Sequence, residues 1–207
     1  MDRPYSPLDE RTVADTLVRE LERRACGPLP PDDPFEGAGI YAVYYTGDFP
    51  LYKQLGDLNS SKCVLPIYVG KASPKGTRKG LIDLDAPVGS VLYSRLCEHA
   101  DSIRATTDLR IQDFRCRFLV TSVMWLTLGE GMLIRKYQPL WNAVIDGFGL
   151  HDPGEKRYTG KVSEWDTLHS GRPWEKKMKS KRSRTDLEAA VIAHLDKVLG
   201  ERRRSED

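Results

Sequence analysis

The sequence predicts a mixed α/β fold of the α+β kind, a small three-stranded antiparallel sheet flanked by helices. Three observations predict it. Residues 39–45, 64–70 and 111–120 carry strand patterning. Two longer segments between and after them repeat apolar residues at helical spacing. The resulting order strand, strand, helix, strand, helix suits an antiparallel sheet covered by helices. A chain of 207 residues holds one compact core with appendages.

The elements follow in chain order. SPLDERTVADTLVRELERRA reads as an amphipathic helix with a stripe of Val13, Leu17 and Leu21, capped by Ser6 and with Pro7 in its first turn. CGPLPPDDPFEG reads as a Pro/Gly linker that closes an N-terminal arm over residues 1–36. GIYAVYYTG opens the sheet, with Tyr41, Val43 and Tyr45 on one face and Ile40, Ala42 and Tyr44 on the other. In the second strand Leu65, Ile67 and Val69 oppose Tyr68. The insertion between them, residues 46–63, is too long for a tight hairpin and is expected to be functional or partly disordered. SPKGTRKG is a basic loop, and a helix opens near Ser90. IQDFRCRFLV alternates strictly, with Arg115 and Arg117 opposite Phe114, Cys116, Phe118 and Val120. SVMWLTLGEGMLIRKYQ is an apolar helix stopped by Pro139, and PLWNAVIDGFG leaves it as a loop, so the core spans residues 37–150. Residues 151–207 form a basic extension without clear period, then a terminal helix with a capping box (Thr185, Glu188) and Gly200 as its stop.

Charge and cysteine content narrow the function. The net charge is only +2, yet residues 62–117 hold ten bases against six acids and residues 151–184 ten against five. Residues 1–36 hold nine acids against five bases. Two basic segments in a nearly neutral chain point to a polyanion partner, although a basic face can also be a merely solvated one. No apolar run is long enough to cross a bilayer, and the first residues lack a signal core, so a cytoplasmic protein without membrane contact is expected. The four cysteines (Cys26, Cys63, Cys97, Cys116) show neither zinc spacing nor a disulfide framework, which suits a reducing compartment.

Polar residues stranded in structural segments mark the candidate site. Arg95 and His99 lie four apart on one helix and share a face. Glu130 sits in Gly-Glu-Gly within an otherwise apolar helix, where an acid is costly unless it meets a cation or water. Its flanking glycines would let another segment come close. Tyr41 and Tyr68 lie on strands expected to be neighbours, and Asn142 follows the helix stop. Taken singly, each residue has a structural reading: packing for the tyrosines, a surface ion pair for Arg95, a cap for Asn142. Together, two phenols, a guanidinium, an imidazole, a carboxylate and an amide are the set phosphodiester hydrolysis needs. One carboxylate can hold a Mg²⁺ ion that keeps most of its waters. A guanidinium neutralises charge on the phosphate, and an imidazole can take the proton a phenol passes on.

GIY at 39–41 and YVG at 68–70 resemble the two halves of the motif of the GIY-YIG nuclease superfamily. Arg95 with His99 is similar to that family's catalytic helix, Glu130 to its metal-binding glutamate and Asn142 to its later asparagine. The likeness covers roughly residues 38–145. It implies a GIY-YIG-like fold, with Tyr41, Tyr68, Arg95, His99 and Asn142 as catalytic residues. It also implies Glu130 as holder of one Mg²⁺ per site, with Mn²⁺ as a substitute. The pairing of His99 with Tyr41, the long insertion and the arm look like the type II restriction endonuclease branch, particularly enzymes cutting CCGCGG. That branch implies double-stranded DNA as substrate, a homodimer, and a cognate DNA methyltransferase in the host. Expected DNA contacts are Lys71, Lys75, Arg78, Lys79, Arg104, Arg110, Arg115, Arg117, Lys176 and Lys177. Two other readings stand beside this one: a nicking repair or mobile-element nuclease of the same superfamily, and a non-catalytic DNA-binding module. Product analysis on DNA separates all three.

Overall fold

GIYAVYY carries no charged residue, and a strand without a solvated face has to be covered on both sides. In the computed structural model of the protein this stretch is a central strand with all seven residues buried. The structure describes residues 9–74, 88–150, 161–174, 179–180 and 182–206. Four strands form the main sheet: β1 (Gly27–Pro28), β2 (Gly39–Tyr45), β3 (Tyr68–Ala72) and β4 (Phe114–Val120). Their spatial order is β1-β4-β2-β3, antiparallel throughout. Tyr41 stands opposite Gly70 and Phe118, and Val43 opposite Tyr68 and Cys116. Tyr41, Tyr68 and Gly70 therefore share one face, while Ile40, Lys71 and Leu119 share the other.

Among the described residues there are seven α-helices: α1 (Glu10–Arg23), α2 (Lys53–Asn59), α3 (Val91–Arg104), α4 (Leu126–Tyr137), α5 (Leu140–Ala143), α6 (Glu164–Leu168) and α7 (Arg184–Glu206). A small parallel pair, β5 (Lys161–Val162) and β6 (Lys179–Ser180), lies in the C-terminal extension. Helix α3 covers the Tyr41 face, and α1 with α4 covers the opposite one. A Cβ on Gly129 of α4 would press on Ile40 and Leu17, so this glycine lets α4 lie close to β2. Gly131, on the other side of Glu130, faces open space and has no such role. Glu22 of α1 accepts hydrogen bonds from Tyr137 and Lys136 and ties α1 to α4.

Several expectations are corrected. The sheet has four strands rather than three, because the linker contributes β1: Gly27 and Pro28 pair with Cys116 and Arg115. An edge is the place in a sheet where proline costs least. The insertion is folded as a 3-10 turn (Pro50–Tyr52) and α2. Asn59 holds its end, donating to the Tyr45 and Leu65 carbonyls and accepting from Val64 and Leu65 N–H, all at 2.9–3.0 Å. The second strand runs from Tyr68 to Ala72 rather than from 64 to 70.

The ends of elements differ as well. The described part of α1 begins at Glu10, capped by Asp9 through Arg11 N–H at 3.1 Å; Ser6 and Pro7 lie outside the described residues. A short helix, α5, follows Pro139. Helix α7 is entered through Ser183, whose hydroxyl accepts from Asp186 N–H, and it runs through Gly200 to Glu206. The stripe Leu187, Val191, Leu195 and Leu199 buries it up to that glycine. Cys26 and Cys63 form a disulfide, contrary to the expectation of unpaired cysteines. Pairing of β1 with β4 brings the linker beside the end of the insertion, with the two Cα atoms 6.4 Å apart.

Candidate active site

Gly70 is placed where the Tyr41 side chain crosses its neighbouring strand. A Cβ at Gly70 would overlap the Tyr41 hydroxyl, so the glycine is what lets that phenol lie across β3. Tyr41 is 0% exposed, and its Oη lies 2.6 Å from His99 Nε2 on α3. The Tyr68 ring is 6.2 Å from the Tyr41 ring and 5.2 Å from the His99 ring. Tyr68 is half-buried, the more exposed of the two tyrosines.

Arg95, one turn before His99, joins this cluster. Its guanidinium donates to the Gly149 carbonyl at 2.6 Å and pairs with Glu98 at 2.8 Å, with 18% of the side chain exposed. Glu130 stands on the other face of the sheet. Strand β3 is an edge, and both α3 and α4 pack on it. The carboxylate of Glu130 pairs with Lys71 at 2.8 Å, and Lys71 also donates to the Thr127 hydroxyl at 3.1 Å. Asn142 clamps the middle of β3: its amide accepts from Val69 N–H at 2.8 Å and donates to Val69 C=O at 2.9 Å. Both ends of that amide hold backbone, which makes Asn142 a positioning residue for Tyr68 and Gly70.

Electrostatics follow from burial. Burial pushes the Tyr41 phenol well above its ordinary 10.0, with the charges of Tyr68 and Glu130 acting in the same direction and Arg95 against them. Tyr68 is raised for the same first reason, and again Glu130 adds to the rise. Burial works against the Arg95 charge, yet Tyr41 and Glu98 outweigh it and hold the guanidinium above its ordinary value. A free phenolate is disfavoured here, so a proton leaving either phenol needs the imidazole. With Nδ1 carrying the ring proton, His99 Nε2 accepts from Tyr41.

The expected metal fits the donor set. Among the described residues no group of three or more His, Cys, Asp or Glu side chains gathers as a metal cage. A single carboxylate, 23% exposed, suits a hard ion that keeps its waters and takes further oxygens from a phosphate.

The expected DNA contacts separate. Arg115 is exposed, and Arg104 is exposed while paired with Asp101. Arg110 is held by Asp48 and Asp113. Arg117 turns inward, donating to the Cys63 carbonyl at 3.0 Å and lying over the Tyr44 ring, away from the solvent face expected for it. Lys75, Arg78, Lys79, Lys176 and Lys177 lie outside the described residues. Arg172, first of the dense basic stretch, is 1% exposed and so cannot meet a phosphate. Phe148 and Gly149, which touch His99 and Arg95, were not singled out by the sequence; their signal is the Gly-Phe-Gly turn shortly after Asn142.

A family model described as "Eco29kI GIY-YIG domain" matches residues 33–195. No curated protein matches the chain. The matched span contains every candidate catalytic residue, the insertion and most of the C-terminal extension.

Proposed function

The chain belongs to the Eco29kI GIY-YIG domain family, a family of restriction-type nucleases, and from that premise we propose a type II restriction endonuclease that hydrolyses both strands of double-stranded DNA with Mg²⁺. One observation carries the reading. Tyr41, Tyr68, Arg95 and His99 gather on one face of the sheet beside the edge strand β3, and Glu130 stands on the other face of the same strand, paired with its Lys71.

The chemistry assigns a role to each group. Tyr68, the more exposed tyrosine, contacts the attacking water. Its proton passes to the phenol pair and on to His99 Nε2 through Tyr41, while the water oxygen bonds to phosphorus. One phosphorus–oxygen ester bond breaks, and the leaving oxygen takes up a proton. Arg95 faces the charge that grows on the phosphate. Glu130 would hold the Mg²⁺ ion, which when bound polarises a phosphoryl oxygen and stabilises the leaving oxygen. Lys71 shares the Glu130 carboxylate and contacts phosphate once an ion takes it over. Mn²⁺ meets the same oxygen donors and substitutes.

The remaining parts of the reading concern the target. A GC-rich palindrome, CCGCGG, is the proposed site. One active site per chain and two strands to cut favour a two-fold homodimer. Lys75, Arg78, Lys79, Arg104, Arg115, Lys176 and Lys177 supply phosphate contacts. A cognate methyltransferase protects the host DNA, and the enzyme acts in the cytoplasm, where Cys26 and Cys63 would stand as thiols. No helix among the described residues is long and apolar enough to cross a membrane.

Plasmid cleavage tests the proposal. With Mg²⁺ the wild type should yield double-strand ends that map to CCGCGG, and Glu130→Gln should lower the rate by about 10²-fold or more. Undiminished cutting by that variant would remove Glu130 from the metal role. Products nicked on one strand would replace the restriction reading with the repair-type one.

A further inference from the structure

Arg95 is aimed by a short turn, and the turn is held by a second arginine that never meets solvent. Residues 147–150 carry three contacts to the site. The Gly149 carbonyl accepts from Arg95 at 2.6 Å. The Phe148 ring stacks on His99 with centroids 4.5 Å apart and planes 15° from parallel. The same ring meets Tyr68 edge-on at 4.9 Å. Within the turn one backbone bond closes it, Leu150 N–H to Gly147 C=O at 3.1 Å.

Trp141 and Trp165 pack on the Phe148 ring at 4.5 and 5.3 Å, and Arg172 holds carbonyls of the turn. Its Nη2 donates to the Gly147 carbonyl at 3.0 Å, and its Nη1 donates to the Leu150 carbonyl at 3.2 Å and the Phe148 carbonyl at 3.4 Å. Its Nε pairs with Asp166 at 2.5 Å, and the Asp166 carboxylate is anchored by the Ser163 hydroxyl at 2.8 Å. Trp165 and Trp174 present their rings to the guanidinium, 4.5 and 5.0 Å from its carbon. A guanidinium that is 1% exposed persists only when its N–H groups are bonded and its charge is paired.

We infer that Arg172 is a positioning residue of the phosphodiester reaction: it grips the carbonyls of Gly147, Phe148 and Leu150, so that the remaining carbonyl of the turn, that of Gly149, fixes Arg95 and the Phe148 ring fixes His99. The inference rests on the nuclease reading. Pairing with Asp166 balances the charge of Arg172 and bonds its Nε, and leaves the Nη donors to find other acceptors. Those other bonds all go to the turn that touches the catalytic groups. Lysine cannot replace it, because an ammonium is a point charge without the planar fork that spans several acceptors.

Arg172→Lys and Arg172→Gly in the full chain test the inference. Single-turnover cleavage should slow by about 10²-fold in both, while DNA affinity stays within about threefold of wild type. Guanidinium ion added to Arg172→Gly should restore at least about tenfold of the lost rate. The ring-current shift that Phe148 imposes on the His99 ring protons should vanish in both variants and return with guanidinium. An unchanged rate, a rate loss matched by an equal loss of DNA affinity, or an intact His99 shift would each overturn the inference. Should Arg172→Gly fail to fold, Arg172→Lys carries the same readouts. If the wild type cuts no DNA, the nuclease reading falls on that result, and the His99 shift still decides whether Arg172 holds the turn.

Discussion

At the scale of single residues, the site depends on what is missing at Gly70 as much as on what Tyr41 brings. The Tyr41 hydroxyl lies over the α-carbon of Gly70 because no Cβ stands there. Gly70→Ala should therefore push the phenol off His99. The expected cost is about 1–3 kcal/mol of stability with a loss of cleavage larger than that destabilisation explains. Thermal melts and initial rates, measured side by side, check this. Glu130 was legible in the sequence as an acid inside an otherwise apolar helix, Arg95 with His99 through their spacing of four on one helix, and Tyr41 and Gly70 through the GIY and YVG triplets. Arg172 was not legible: in a run of seven bases against one acid it reads as solvated, and arginine is rarely buried. Only the tryptophans on either side of it, Trp165 and Trp174, hinted that it would be sandwiched.

Among elements, β3 holds the site together because both covering layers reach it. Asn142 is its fastener. Asn142→Ala leaves the Val69 N–H and C=O without their partners, which should cost about 1–3 kcal/mol and speed amide exchange at Val69. Hydrogen exchange by NMR reads the local effect, and an unchanged Val69 rate would show that the clamp is not needed. Long periodic elements were legible: α3, α4 and β4 lie close to where the pattern puts them. Short elements made by tertiary contact were not. Strand β1 is two residues of a Pro-rich linker, paired only because β4 lies beside it. Helix α2 has seven residues, below the length at which a helix holds itself, and it depends on Asn59 and the buried Leu55.

For the whole molecule, buried titratable groups set the pH range of stability. Tyr41, Tyr52 and Tyr68 are raised by burial, and burial pushes Tyr45 and the Cys116 thiol up to about 12. Each is favoured neutral in the folded state. Their stabilisation is whole below the ordinary values of 10.0 and 9.0 and is lost as pH rises through the folded ones. On the acid side burial lowers His169, against the pull of Asp108, so its contribution is whole above 6.5 and fades as pH falls below it. Melting temperature should thus hold between about pH 7 and 9 and decline on both sides; substituting His169→Gln should flatten the acid limb. Reducing the bond between Cys26 and Cys63, which are 37 residues apart, should lower stability by about 2–4 kcal/mol, read as a drop in melting temperature with dithiothreitol. The layout of the extension has a further consequence in time. Tyr41, Tyr68, Arg95, His99 and Glu130 all lie before residue 143, whereas the tryptophan and aspartate that seat Arg172 come at 165 and 166, and the long helix packed on them comes later still. A ribosome making this protein releases the candidate site residues first and Arg172 with its partners later, so on the reading proposed above an unfinished polypeptide would carry the reagents of scission without the means to aim them.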